Sequence, residues 1–269
     1  MRGSINYLKP MSVRPAFFAH DFSRDNLELD AQSVEIRNAR TAGDAPTLAR
    51  EGFALVHHRS AVRDFGDADQ IQQIYLPEAE RLLLELTGAK RAIMMRGAVA
   101  RFGERSSRYR SSFNSRPARF THVDYTERSA PGLLQKLLST AAPDFKPRGR
   151  YAGYNLWRVL SEPPQDVPLA VCDARSIEPG DLVPADAVFD APGAPEFSFE
   201  AYLVRSNPRH RWSYFSDMTI DEALVFKAFD TDSSQPVRVP HCAFDDPGCP
   251  QGVPPRASIE VRGFAFFDD

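Results

Sequence analysis

A mainly β fold with flanking helices (α+β), closed as a barrel or sandwich, is predicted by three features of the sequence. From residue 151 onward the chain is a succession of strand-sized apolar runs separated by turn signals. Proline makes up 22 of 269 residues, against a typical share of about 5%, which suits short strands and many turns. Only two stretches carry a helical apolar period. With 42% hydrophobic and 26% charged residues, the chain is long enough to build a core without disulfide or metal staples. A net charge of −3 lacks the basic excess of a nucleic-acid binder. No run approaches the ~18 uninterrupted apolar residues of a membrane span.

The elements follow in order. Residues 1–48 are aperiodic apart from the β-like Ser33–Arg37 run and are expected to form an N-terminal arm lying on a single domain of residues 49–269. Gly52–His58 reads as a strand. From Asp69 to Thr87, apolar residues recur at spacings of three and four and Gly88 supplies the stop, so a helix is expected there. Ala89–Met95 reads as another strand. The run 96–119 carries seven arginines among serines and is expected to be a mobile, solvated loop, with a lid as the alternative. A second helix is expected over 131–142. Strands are then expected at Tyr151–Leu160, Leu169–Asp173, Glu200–Arg205, Arg211–Tyr214, Ala223–Phe229, Arg238–Ala243 and Ser258–Phe267. Thr219 with Glu222 forms a capping-box pattern that offers a helix start as the alternative near residue 221.

Cys172, Cys242 and Cys249 form no CxxC pair, which argues against a disulfide framework or a thiolate zinc site. No apolar h-region follows Met1, and a cytoplasmic location is the expectation. Of six histidines, His57, His58 and His210 are read as structural. His122 stands in an HxD, and residues i and i+2 of a strand share a face, so His122 and Asp124 can grip one ion. His241, on a later strand, completes two histidines and a carboxylate, the facial triad of non-haem Fe(II). Three open coordination positions remain, two for a chelating 2-oxo acid and one for dioxygen. Arg256 and Ser258 then form an RxS on the next strand. A guanidinium offers a carboxylate two parallel hydrogen bonds and the hydroxyl a third, which suits the distal carboxylate of 2-oxoglutarate. Tyr154 and Asn155, in an aromatic-rich strand, are further cofactor-pocket candidates, with Trp157 read as core. Arg158, Arg175 and Lys227 are candidates for an anionic substrate, with a solvated surface role as the alternative. Cys242 should face away from the site that His241 faces.

At these residues the sequence resembles the AsaB-type, or CmcJ-like, hydroxylase/desaturase family. The resemblance is carried by His122-Val123-Asp124-Tyr125-Thr126, Tyr154-Asn155-Leu156-Trp157-Arg158, Pro168 through Ser176, Trp212 through Met218, Glu222 through Lys227, His241 with Ala243 to Asp246, and Arg256 through Arg262. It spans roughly residues 33 to 267. It implies a double-stranded β-helix (jelly roll), Fe(II) held by His122, Asp124 and His241, and 2-oxoglutarate seated by Arg256 beside Ser258. The expected enzyme is a dioxygenase that hydroxylates, desaturates or cyclises a small molecule of secondary metabolism, without nucleic-acid or membrane partners. The chain departs from the usual pattern at Val123, where asparagine is usual, and at Met94–Val99, which replaces an Asp-His-Thr stretch. Two other classes remain open at this level: a zinc hydrolase using the same triad and a non-catalytic jelly-roll binding protein.

Overall fold

Side chains along the strands alternate between two faces, and that alternation lets two sheets share one interior. The computed structural model describes residues 1–111 and 114–268. Its strands, in chain order, are β1 (Arg2–Leu8), β2 (Ala16–Phe18), β3 (Leu29–Asn38), β4 (Phe53–His57), β5 (Arg91–Met94) and β6 (Val99–Phe102). There follow β7 (His122–Val123), β8 (Tyr151–Val159), β9 (Leu169–Cys172), β10 (Leu182–Phe189) and β11 (Phe197–Val204). The last four are β12 (Trp212–Tyr214), β13 (Glu222–Asp230), β14 (His241–Ala243) and β15 (Ala257–Phe266). The larger sheet runs β1-β3-β12-β9-β14-β7-β11-β10-β2, and the smaller β4-β13-β8-β15-β5 with β6 also on β15. Neighbours in each sheet come from distant parts of the chain, as in a double-stranded β-helix.

Between the sheets, Val171 and Leu169 of β9 meet Trp157 and Val159 of β8 and Leu224 and Phe226 of β13. Leu224 and Phe226 are fully buried, and each contributes about 1.5–3 kcal/mol by burial. The opposite faces have their own covers. Leu156, Val225, Ile259 and Val261 of the smaller sheet pack under helix α2 (Leu76–Thr87). Helix α3 (Ser129–Ala141) closes one end against Tyr125 and Phe264.

The expected helix over 69–87 is present but not uniform. A short turn, α1 (Ala68–Gln70), capped by the Asp67 carboxylate, passes through a π-helical stretch at Ile71–Tyr75 before α2 begins. Pro77 near the start of α2 lacks an N–H to give, and the wider turn upstream accommodates its ring. Gly88 ends the helix with φ at 67°, a left-handed conformation that glycine adopts without cost. The second helix starts two residues earlier than expected, because Thr126 Oγ1 accepts from the Arg128 and Ser129 amides while Ser129 Oγ accepts from the Thr126 amide. Near residue 221 the strand alternative wins. Glu222 does accept from the Thr219 amide at 2.9 Å, but Ala223–Phe226 goes on as β13 between β4 and β8, where its β-branched and aromatic side chains are buried.

Two expectations are corrected. Residues 1–48 do not merely lie on the body, since β1, β2 and β3 are hydrogen-bonded strands of the larger sheet. Ile5 and Tyr7 are buried there, and Tyr7 accepts from Trp212 Nε1 at 2.7 Å. The arginine-rich run 96–119 is not a free loop. It includes β6, and Arg105, Arg116 and Arg119 are tied to Asp166, Asp25 and Glu104. Ser112 and Phe113 of that run lie outside the described residues.

Candidate metal centre

His122 on β7 and His241 on β14 stand directly opposite each other on hydrogen-bonded antiparallel strands. Their rings point into the interior with centroids 4.3 Å apart. Each ring is fixed by its own strand: His122 Nδ1 lies 3.0 Å from the Phe120 carbonyl and His241 Nδ1 3.1 Å from the Val239 carbonyl. A carbonyl oxygen only accepts, so in the neutral form of each ring Nδ1 carries the proton and Nε2 presents a lone pair. Asp124 follows β7 and turns inward beside them, with Oδ2 3.8 Å from His241 Nε2. One ligand atom from each of the three residues lies within 4.8 Å of the others, and all three side chains are buried. The strand of His122 leans on the N-terminal segment, whose Asn6 carbonyl accepts from both the amide and the hydroxyl of Thr121 at 2.9 Å.

Asp124 is held at both oxygens. Asn155 Nδ2 donates to Oδ2 at 2.6 Å, and Arg262 Nη2 reaches Oδ1 at 2.9 Å. Asn155 and Arg262 are cross-strand partners on β8 and β15, so one rung of the smaller sheet grips the carboxylate. Glu260, two residues before Arg262 on the same face, accepts from Arg262 Nε at 2.7 Å and shares its Nη2 at 2.6 Å. Burial works to raise the Asp124 pKa, but the charge of Arg262, the two histidines and the Asn155 bond outweigh it and hold the carboxyl well below its usual range. Burial, reinforced by His241, pushes His122 down to about 3, which keeps it neutral and able to ligate.

One more pair lies on this face, Arg256 just ahead of β15 and Ser258 within it. Arg256 and Ser258 are buried at 1% and 0% exposure. Arg256 Nη1 donates to the Val167 carbonyl at 2.9 Å, while its Nε and Nη2 and the Ser258 hydroxyl have no hydrogen-bond partner among the described residues. Buried donors without partners are rare because each costs about 1–3 kcal/mol. A carboxylate would supply acceptors for these three donors, so the residues present fit an oxo-diacid. The triad, neutral at two nitrogens and anionic at one oxygen, fits a divalent iron.

The other sequence candidates fall elsewhere. Asn155 faces the centre, but its neighbour Tyr154 faces the other way and packs with Tyr75 and Ile71 beneath α2, so its cofactor-pocket placement is corrected. Arg158, on the same outer face, donates to the carbonyls of His58 and Ile220 and pairs with His58 Nδ1. Lys227 is neither solvated nor in the cavity; its Nζ lies 2.7 Å from Asp230. Arg175 sits half-exposed on Asp173 and Glu51, with Arg211 joining Asp173 beside it. His210 is structural, between Tyr7 and Asp181, and Cys242 faces the opposite core, beside Cys172 and Phe244. Glu260 and Arg262 are the residues that sequence reasoning missed, and the period of two that placed Arg256 with Ser258, continued two steps, would have found them.

A jelly roll with two histidines and a carboxylate on neighbouring strand ends, beside a buried guanidinium and hydroxyl awaiting an acid, defines the class of mononuclear non-haem iron oxygenases. The chain belongs to the oxidoreductase family described as YDMC, oxidoreductase/YMDC permease-like domain, whose model matches residues 5–266. It is 32% identical over 258 residues to hydroxylase/desaturase CTB9 of Cercospora beticola, covering 89% of this chain and 78% of that protein. It is 28% identical over 246 residues to the Fe(II)/2-oxoglutarate-dependent dioxygenase nvfI of Aspergillus novofumigatus, covering 90% and 85%. A solved structure of the iron and alpha-ketoglutarate-dependent endoperoxidase NvfI superposes with a TM-score of 0.82 at 25% identity, covering 100% of this chain and 98% of that one. The expected hydroxylase/desaturase membership and jelly-roll core hold. No helix among the described residues is long and apolar enough to cross a membrane.

Proposed function

We propose that this protein is an Fe(II)/2-oxoglutarate-dependent oxygenase that hydroxylates, desaturates or cyclises a small molecule in secondary metabolism. One observation carries the reading: a metal-ready triad stands in the same buried interior as the unpartnered donors of Arg256 and Ser258. A zinc hydrolase would leave those donors without a role. His122, Asp124 and His241 would hold the iron, which with 2-oxoglutarate and dioxygen supplies oxidising power for an unactivated C–H bond while the co-substrate is decarboxylated to succinate and CO2.

The chain's own work is positioning and exclusion. Arg256 and Ser258 bind the distal carboxylate and so set how deeply the co-substrate enters. The Nδ1–carbonyl bonds fix both imidazoles before any metal arrives. Asn155 and Arg262 keep the Asp124 carboxylate ionised and aimed. Phe120 and Phe226, with ring centroids 5.3 Å from His122 and 4.6 Å from His241, make the surroundings apolar and keep bulk water out. The test is anaerobic addition of Fe(II) and 2-oxoglutarate followed by oxygen. The expected result is a visible metal-to-ligand charge-transfer absorption, then succinate formation that needs both iron and oxygen. Succinate formation undiminished in His122→Ala or His241→Ala, or turnover of substrate that needs neither oxygen nor 2-oxoglutarate, would overturn the reading.

A further inference from the structure

We propose that the cleft bounded by α3, the strand β11 and residues 95–99 is the substrate site, and that its occupant is an uncharged, largely hydrocarbon small molecule. This deepens the oxygenase reading and rests on it. The cleft has a volume of about 440 Å3, within the range that encloses a drug-sized ligand. Leu133, Lys136, Leu137 and Thr140 line it from one face of α3, and Met95 and Val99 from the facing segment. The remaining wall is aromatic. Phe189 and Phe199 stack with centroids 5.4 Å apart, and Phe197, 37% exposed, lies 6.0 Å from Phe199 at the mouth.

Its position ties it to the metal centre. Phe189, Phe199 and Arg262 line both this cleft and the cavity that contains His122 and Asp124. Arg262 touches Asp124 Oδ1 directly, so a single guanidinium separates the cleft from a ligand atom. Tyr125, the residue after Asp124, forms part of the same wall.

The chemistry of the wall selects the occupant. On the floor the Arg262 guanidinium is shared between Glu260 and Asp124. Tyr125 donates its hydroxyl to Met95 Sδ, and the Thr140 hydroxyl to the Leu137 carbonyl. The buried part of the wall therefore offers no unpaired charge and few free polar groups, and a charged ligand would lose its hydration there without a partner. The two cations that also line the cleft, Lys136 and Arg96, are exposed, and Lys136 Nζ lies 3.8 Å over the Phe197 ring at the mouth.

The experiment uses the full chain loaded with Mn(II) in place of iron and the uncharged fluorophore N-phenyl-1-naphthylamine as probe. The expected result is saturable one-to-one binding, weakened about tenfold or more by Leu133→Glu, which buries a carboxylate in the wall, and by Ala98→Trp, which fills the space. Unchanged thermal melting of the variants controls for folding. The probe's protons should relax faster on the Mn(II) protein than on the Zn(II) protein, placing it beside the metal. Probe affinity unmoved by both variants, or relaxation indifferent to a stoichiometrically bound Mn(II), would overturn the proposal. So would tighter binding of the sulfonated analogue anilinonaphthalene sulfonate, since that would assign the site to an anion. Mn(II) retained equally by His122→Ala would instead strike the metal reading, with the two cleft variants still deciding where the probe sits.

Discussion

Replacing Arg256 with methionine separates function from stability by moving them in opposite directions. The guanidinium presents two unpartnered groups, Nε and Nη2, to an incoming carboxylate. Hydrogen bonds to a charged partner contribute about 1.5–3 kcal/mol each, so losing both should weaken 2-oxoglutarate binding by about 10²- to 10⁴-fold. Without the co-substrate the same group is a liability. Burial, aided by the charges of Arg101 and Arg119, pushes its pKa down to about 9. Methionine fills the space with no charge to desolvate, a change of a kind that stabilises by about 1–4 kcal/mol. It forgoes the Val167 bond and the packing of the guanidinium 5.7 Å from the Trp157 ring, together about 1–2 kcal/mol. On the midpoints of those ranges the free protein gains about 1 kcal/mol and should melt about 2–4 °C higher. Anaerobic calorimetric titration of 2-oxoglutarate and thermal melting of the free protein measure the two effects. An affinity change under tenfold together with a lower melting temperature would make Arg256 a structural residue and refute the reasoning.

Removing the Asp124 carboxylate with Asp124→Ala should abolish iron-dependent 2-oxoglutarate turnover, measured as succinate formed under saturating Fe(II). Arg262→Met should weaken metal binding by about 10- to 100-fold, read by competition with a chelator, because Asp124 and Glu260 both lose their guanidinium; Arg262→Lys should recover part of it. Lys227→Met should cost about 1–3 kcal/mol in urea unfolding and leave the turnover number unchanged, since Lys227 serves Asp230 on the outer face. For the metal-free protein, His122 is held near 3 when folded but titrates near 6.5 when unfolded. The unfolded chain therefore takes the proton first, and stability should fall as the pH drops from about 6.5 toward 3, by up to ~1.4 kcal/mol per unit. Asp124, depressed when folded, adds a loss in the same direction as the pH falls below its unfolded value of 3.8. Urea midpoints across that range, with His122→Leu giving a shallower slope, check the sign.

The strands of the smaller sheet that back the centre were legible because they are long and strongly patterned. Tyr151–Val159, Glu222–Asp230 and Ala257–Phe266 fall within one residue of the apolar runs that marked them. β10 was hidden by Pro184 and Asp186, a proline and a charge that read as loop, although pairing with β11 satisfies the backbone around them. β1 and β2 carry too little pattern to announce themselves; they become strands because the larger sheet offers them partners. The triad and the RxS pair needed only the two-residue period and chain order. Arg158, Lys227 and Arg175 misled because type and proximity in sequence do not reveal which face of a strand, or which nearby acid, a cation will choose. Asp230 and Asp173 settle two of those choices, and the His58 ring and nearby carbonyls settle the third.

Along β15 and the residue just before it, Arg256, Ser258, Glu260 and Arg262 alternate with Ala257, Ile259 and Val261. The six steps from first arginine to last, at about 3.3 Å each, set the co-substrate's anchor and the counter-ion of the metal carboxylate some ~20 Å apart along one rigid backbone. Inserting a single amino acid between them would rotate everything beyond it by half a turn, bringing valine to the aspartate and sending the second guanidinium beneath the helix. The length of this strand is thereby fixed by the site it serves, and only the loops around it can take up an added residue without moving that site.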